Sequence, residues 1–212
     1  MSESHHHHHP HVAEAPGLPD ASLVLEQALR ELLIEKGVFT ADELRFAIEA
    51  MEARGEALGA KLVARAWTDP AFKALLLDRP GEAIATMGLN LGVNELCVVE
   101  NTENLHNVVV CTLCSCYPRL ILGIPPTWYK SRSYRARTVR EPRAVLAEFG
   151  LVLPEVVEVR VHDSTADLRY LVLPMRPAGT EGWNEAALAG LVSRDSMIGV
   201  AEVRRPEAVG MS

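Results

Sequence analysis

The run Cys111-Thr112-Leu113-Cys114-Ser115-Cys116 puts three thiols inside six residues, a concentration of soft, ionisable ligands that packing does not require. Thiolate is the form that binds metal, and three thiolates this close repel one another unless a cation sits between them. In a C-x-x-C-x-C run the last two cysteines flank a single residue, so a metal held by all three sulfurs is drawn against the backbone joining Ser115 to Cys116. Three sulfurs and the peptide nitrogens of Ser115 and Cys116 occupy five positions of an octahedron. The sixth is left for water or substrate. Catalytic metals keep such an open position, whereas structural zinc closes its tetrahedron. A zinc site completed by Cys97 or His106 is the rival reading, and ligands joined this tightly suit a tetrahedron poorly.

The rest of the chain must position this loop. Its 212 residues, 48% hydrophobic and 23% charged, describe a soluble globular protein with ample core. A formal net charge of -7 argues against nucleic acid or an anionic membrane as partner. No apolar run approaches the length of a membrane span, and no signal peptide opens the chain. The expected location is the cytoplasm, where four cysteines (Cys97, Cys111, Cys114, Cys116) are ligands or reactive groups rather than a disulfide framework. Cys97, His162 and the three tryptophans read as packing residues.

Residues 1–20, with His5 to His9 and His11, read as a disordered tail, for which two accounts stand, an expression tag and a natural metal-gathering segment, the second slightly favoured. Residues 21–88 read as an N-terminal helical arm. Leu25, Ala28, Leu29, Leu32 and Leu33 form one stripe. Thr40 and Glu43 form a capping box for a second helix, a third runs from about Ala57 to Trp67, and Asp69-Pro70 opens a fourth. Residues 89–212 read as an α/β metal-binding catalytic domain. Strands are expected at Leu96 to Glu100, Leu105 to Val110, Val156 to Val161, Leu168 to Leu173 and Met197 to Val203. Helices are expected after Pro125-Pro126, from Pro142 to Phe149 and from an Asn184 cap to Val192. The fold class is therefore α+β: a helical arm followed by a layered α/β sandwich whose second strand delivers the cysteine loop.

Val110-Cys111-Thr112-Leu113-Cys114-Ser115-Cys116-Tyr117-Pro118, with Leu122-Gly123, Pro125-Pro126 and Trp128-Tyr129-Lys130, closely resembles the metal-binding α subunit of cobalt-type nitrile hydratases. The resemblance runs from about residue 22 to 203 and includes Ala66-Trp67-Thr68-Asp69-Pro70, Tyr134-Arg135, Arg140-Glu141-Pro142-Arg143 and Arg169-Tyr170-Leu171-Val172-Leu173-Pro174. Thr112 and Tyr117 stand where the cobalt rather than the iron form has these types. The resemblance implies one cobalt(III) per subunit, held by Cys111, Cys114, Cys116 and the amides of Ser115 and Cys116. Cys114 is then a sulfinate and Cys116 a sulfenate, oxidations that lower electron donation to the metal. It also implies hydration of a nitrile to its amide, with Cys114, Ser115 and Cys116 at the reacting centre. A β-type partner subunit would supply arginines to the oxidised cysteines, and an activator protein would load the cobalt.

One departure bears on substrate. Where nitrile hydratases carry Trp-Pro, this chain has Arg119-Leu120. Arginine three residues past the last cysteine resembles the γ subunit of thiocyanate hydrolase, of the same family, as do the His-rich start and Glu148-Phe149-Gly150-Leu151. Arg119 thereby joins the candidate catalytic residues, with thiocyanate as the alternative substrate. The stretch from Gly88 to Glu100 has no room for the insertion expected of that subunit, which favours the nitrile. A Gln common beside the nitrile hydratase site has no counterpart, and Asn90 or Asn94 could replace it. A metal-carrying scaffold that never turns over is the reading from outside enzymology.

Overall fold

The computed structural model describes residues 20–52, 55–89 and 95–206, so the histidine run, Asn90 and Asn94 lie outside the described residues. Two amphipathic helices lead, α1 (Asp20–Glu35) and α2 (Ala41–Glu52). The capping box forms as its spacing predicts: the Thr40 N–H donates to Glu43 Oε2 at 2.7 Å and the Glu43 N–H to Thr40 Oγ1 at 3.1 Å. Among the described residues much of both apolar stripes is exposed, with Leu33 and Leu44 half-buried. Val24 and Leu25 are each 69% exposed and Phe46 is 60% exposed.

The next three helices, expected in the same arm, behave differently. In α3 (Glu56–Thr68), α4 (Pro70–Asp78) and α5 (Pro80–Thr86) the residues Leu62, Val63, Phe72, Leu76 and Ile84 are buried. They share one core with Val98, Leu171 and Leu173 of the strands. Asp69 caps α4, accepting from the N–H groups of Ala71 and Phe72 at 3.0 and 2.9 Å, and Pro70 fills the first turn, where no donor is missed.

Four strands follow: β1 (Glu95–Glu100), β2 (Leu105–Val110), β3 (Glu158–Asp163) and β4 (Leu168–Leu173). They form two parallel pairs, β1 with β4 and β2 with β3. Residues 101–104 reverse the chain through a Thr102–Leu105 bridge, so β2 runs back against the direction of β1 and its last residue leads into the cysteines. Short helices cover the strands: α6 (Arg119–Leu122), α7 (Thr127–Lys130), α8 (Arg132–Thr138), α9 (Pro142–Glu148), α10 (Glu185–Ala189) and α11 (Arg194–Ile198). The architecture is mixed helix and sheet.

One expected strand is corrected. Met197 and Ile198 belong to α11, not to a strand running to Val203. Ser193 and Ser196 cap each other reciprocally at 3.2 and 3.1 Å, which satisfies the first helical donors and outweighs the β tendency of so short a run. Gly199 ends the helix at φ +90.

A buried polar knot fastens this turn to the strands. The His106 Nε2–H donates to the Gly199 carbonyl at 2.7 Å, leaving Nδ1 to accept from Asn101 Nδ2 at 3.3 Å. Asn101 Oδ1 accepts from the Asn107 N–H at 2.8 Å, and Asn107 Nδ2 donates to the Glu100 carbonyl at 2.8 Å. Burial holds the His106 imidazole below its ordinary range. Its nitrogens are engaged within this knot.

Candidate metal centre

Val110, buried on β2, hands the chain to Cys111, also buried, and there the strand gives way to a tight turn. The Cys114 N–H reaches back to Cys111 Sγ at 3.3 Å. The sulfurs of Cys111 and Cys114 lie 3.5 Å apart and those of Cys114 and Cys116 3.0 Å apart. All three ligand atoms fall within 4.8 Å of one another, and neither Cys97 nor His106 joins them. Cys97 sits half-buried on β1, where burial raises its thiol pKa, as a packing thiol's would be.

Two features fit this cluster to a metal. Hydrogen bonds from the Cys116 and Cys111 thiols bring the Cys114 pKa down to about 7, with a smaller lowering from the backbone N–H groups of Ser115 and Cys116. Burial first, then the neighbouring Cys114 and Cys111, pushes the Cys116 thiol up to about 12. Cys114 thus ionises ahead of Cys116, and a cation between the sulfurs lets both carry charge together. Cys111 and Cys116 are buried while Cys114 is exposed, so the claw is open on one side.

The loop is braced from four directions that local sequence does not announce. Asp163, at the end of β3 and in register with Val110, accepts from the Thr112 N–H at 2.9 Å and from its hydroxyl at 2.6 Å. The Tyr129 hydroxyl donates to the Cys116 carbonyl at 2.8 Å, and the Tyr134 hydroxyl donates to the Val109 carbonyl at 2.7 Å. Both phenols are buried, and burial raises their pKa values, so they stay protonated as donors. Arg135 Nη1 lies 3.5 Å from the Thr112 carbonyl. Asp163→Ala should therefore leave the fold intact but speed loss of a metal loaded into the loop to a chelator about tenfold, the usual scale for groups that orient a ligand loop. Following metal content over time in wild type and variant checks this, and identical rates would remove Asp163 from the loop's support.

Ser115 is half-buried between its cysteines, and Arg119 is exposed at the start of α6. Leu113, at the tip of the claw, is 83% exposed. A cavity of about 90 Å³ begins one residue past Cys116, lined by Tyr117, Pro118, Arg119, Leu120, Glu95, Leu96 and Arg169, and the three cysteines are not in its wall. A larger cavity of about 750 Å³ opens against Asn101, His106 and Met175, at the far end of β2 from the cysteines.

Residues 20–201 match the family described as nitrile hydratase, alpha chain, and the chain belongs to that family. It is 51% identical over 182 residues to the alpha subunit of the low-molecular-weight cobalt-containing nitrile hydratase of Rhodococcus rhodochrous, covering 85% of this chain and 88% of that one. It is 48% identical over 190 residues to the gamma subunit of thiocyanate hydrolase from Thiobacillus thioparus, covering 84% and 78%. Among solved structures, a double mutant of the iron-type nitrile hydratase of Comamonas testosteroni Ni1 superposes with a TM-score of 0.83 at 45% identity, over 89% of this chain and 93% of that one.

Proposed function

We propose that this chain is the metal-binding catalytic subunit of a nitrile hydratase, adding water across a carbon–nitrogen triple bond to give the amide. The observation that carries the reading is the cluster of three sulfurs within 4.8 Å of one another, formed at the end of β2 in a member of this family. Cys111, Cys114, Cys116 and the peptide nitrogens of Ser115 and Cys116 would hold one cobalt(III). Thr112, Tyr117 and the cobalt-containing relative favour cobalt over iron. When bound, the ion supplies Lewis acidity that polarises a nitrile or acidifies water at neutral pH.

The chain's own residues set the stage for that chemistry. Asp163, Tyr129 and Tyr134 fix the backbone on either side of the cysteines, so little reorganisation remains when substrate arrives. The open face at Cys114 admits substrate, and the Ser115 hydroxyl orients water there. Cys114 as sulfinate and Cys116 as sulfenate would present oxygens to that face. Purified complex, assayed for amide release from a short aliphatic nitrile, tests the activity. A cobalt-loaded complex with no turnover would leave the scaffold reading.

Partners complete the site. The largely exposed stripes of α1 and α2 and the exposed Leu113 support docking of a β-type subunit that brings arginines to the oxidised sulfurs, with a cobalt-loading activator acting beforehand in the cytoplasm. Such obligate contacts bury on the order of 2,000 Å² or more. Light scattering of the co-expressed subunits should give a heteromer. A fully active monomer would contradict it.

Arg119 favours a second reading, hydrolysis of thiocyanate. Among the described residues no carboxylate lies within 4 Å of its guanidinium, and it lines a small cavity with Tyr117, the residue after Cys116. A positive side chain there offsets the desolvation of an anion and does little for a neutral nitrile. Arg119→Trp should lower kcat/KM for thiocyanate about tenfold or more relative to that for a nitrile. An unchanged ratio would place Arg119 outside the substrate's path.

A further inference from the structure

The segment from Thr127 to Arg140 carries Lys130, Arg132, Arg135, Arg137 and Arg140 and no acidic residue, in a chain whose formal net charge is -7. Two carboxylates reach it, from Glu141 at the cap of α9 and Glu148 at its end, and one arginine takes both. Arg137 Nε donates to Glu141 at 2.6 Å, and its two terminal nitrogens donate to Glu148 at 2.9 and 2.5 Å. Among the described residues Lys130, Arg132, Arg135 and Arg140 have no carboxylate within 4 Å. Lys130 and Arg132 are exposed on either side of Ser131, which caps α8. Arg132 and Arg135 stand three residues apart on α8 and are therefore neighbours on its surface.

Arg135 joins this basic surface to the claw. Its Nη1 lies 3.5 Å from the Thr112 carbonyl, its Nε has no acceptor, and Leu113, the next residue of the loop, is 83% exposed. A guanidinium held by one long contact turns toward a better acceptor at little cost. The acidic group at this end of the loop, Asp163, is already engaged by the Thr112 N–H and hydroxyl. A partner that carries arginines to the sulfurs must lay its own cations beside these, and like charges desolvated together oppose docking unless carboxylates face them across the interface. An exposed leucine rimmed by arginines has the make-up of a protein interface rather than of a nucleic-acid one. We propose that Lys130, Arg132 and Arg135 form a docking surface for an acidic patch of the β-type partner subunit and so set its register over the claw. The stripes of α1 and α2 supply apolar area, whereas charge pairs fix orientation. The proposal rests on the partner reading above and names the chemistry of that partner.

The test uses the co-expressed subunits. A carbodiimide couples an amine to a carboxylate in direct contact, so the treated heteromer should yield a cross-linked peptide that joins Lys130 to an Asp or Glu of the partner, identified by mass spectrometry. Arg132→Glu should weaken association about tenfold, read by light scattering on dilution, and should flatten its dependence on salt. Lys130→Glu should act in the same direction more weakly. Both positions are exposed, so circular dichroism and cobalt content should stay as in wild type. Arg135→Gln should also weaken association about tenfold, on the scale of a lost charge-assisted hydrogen bond. Arg79→Glu is the control, an equal charge change at an exposed arginine beside Asp78 and Glu82, and should leave association unchanged. Wild-type association in Lys130→Glu and Arg132→Glu, with no cross-link at Lys130, would overturn the surface and leave the partner reading standing. So would binding of a short duplex DNA that Arg132→Glu abolishes while the heteromer is unaffected, which marks a nucleic-acid surface. A wild-type chain that forms no heteromer would overturn the partner reading itself, and the surface with it.

Discussion

Cys111→Ala, Cys114→Ala and Cys116→Ala should each give a folded chain that keeps no cobalt through dialysis against a chelator. Structural metal sites built from a few side chains are worth roughly 10–16 kcal/mol in all, so one sulfur anchor accounts for on the order of 3 kcal/mol, a loss in affinity of about a hundredfold or more. The fold should survive for reasons that differ by position. Cys114 is exposed, so its truncation empties no core volume. Cys111 and Cys116 are buried, yet removing one sulfur leaves a small void among residues that Tyr129 and Tyr134 already hold by their backbone carbonyls. Ser115→Ala should keep the metal, because its part in binding is the peptide nitrogen, and should turn over more slowly because the hydroxyl is gone. Metal-to-protein ratio and circular dichroism on the four variants check this together. Stoichiometric, tightly held cobalt in any cysteine variant would sink the ligand assignment.

The second large effect lies away from the claw. Gly199 adopts φ +90, and a Cβ placed there would stand 2.0 Å from the Asn107 carbonyl oxygen. That oxygen is backbone within a buried strand and cannot step aside. Gly199→Ala should therefore destabilise by about 3 kcal/mol or more, combining left-handed strain with a displaced strand. At about 2–4 °C per kcal/mol for a domain of this size, melting should fall by roughly 10 °C. Gly59→Ala is the control. A Cβ there meets Leu122 Cδ2 and Met197 Sδ at 2.7 Å, side-chain ends that can rotate, so the cost should be about 1–2 kcal/mol. Melting curves that rank Gly59→Ala as the more damaging change would contradict this account of the turn.

What the chain disclosed before folding was whatever depends on short spacing. The claw, the Thr40–Glu43 box and the Asp69-Pro70 start each need only a few consecutive residues, and each forms. What stayed hidden depends on register between distant segments. Asp163 reaches Thr112 only because β3 lies parallel to β2, and Arg169 comes to line one cavity with Arg119 only because β4 lies parallel to β1. Neither pairing follows from composition or periodicity. Tyr129 and Tyr134 were visible as aromatic residues, but their hydroxyl targets, the carbonyls of Cys116 and Val109, lie on another element. The helical arm shows the same limit from the other side. Amphipathic periodicity is alike in α1 and α3, and only the packed chain distinguishes a face buried in its own core from a face left largely exposed. The strand expected at Met197 failed because a serine capping pair acts over three residues and β propensity is weak in so short a run.

Elemental analysis combined with intact mass of the purified complex tests the central claim most directly. The account predicts one cobalt per chain and a mass increase of three oxygens, two on Cys114 as sulfinate and one on Cys116 as sulfenate. Zinc in the site with no added oxygen would contradict it.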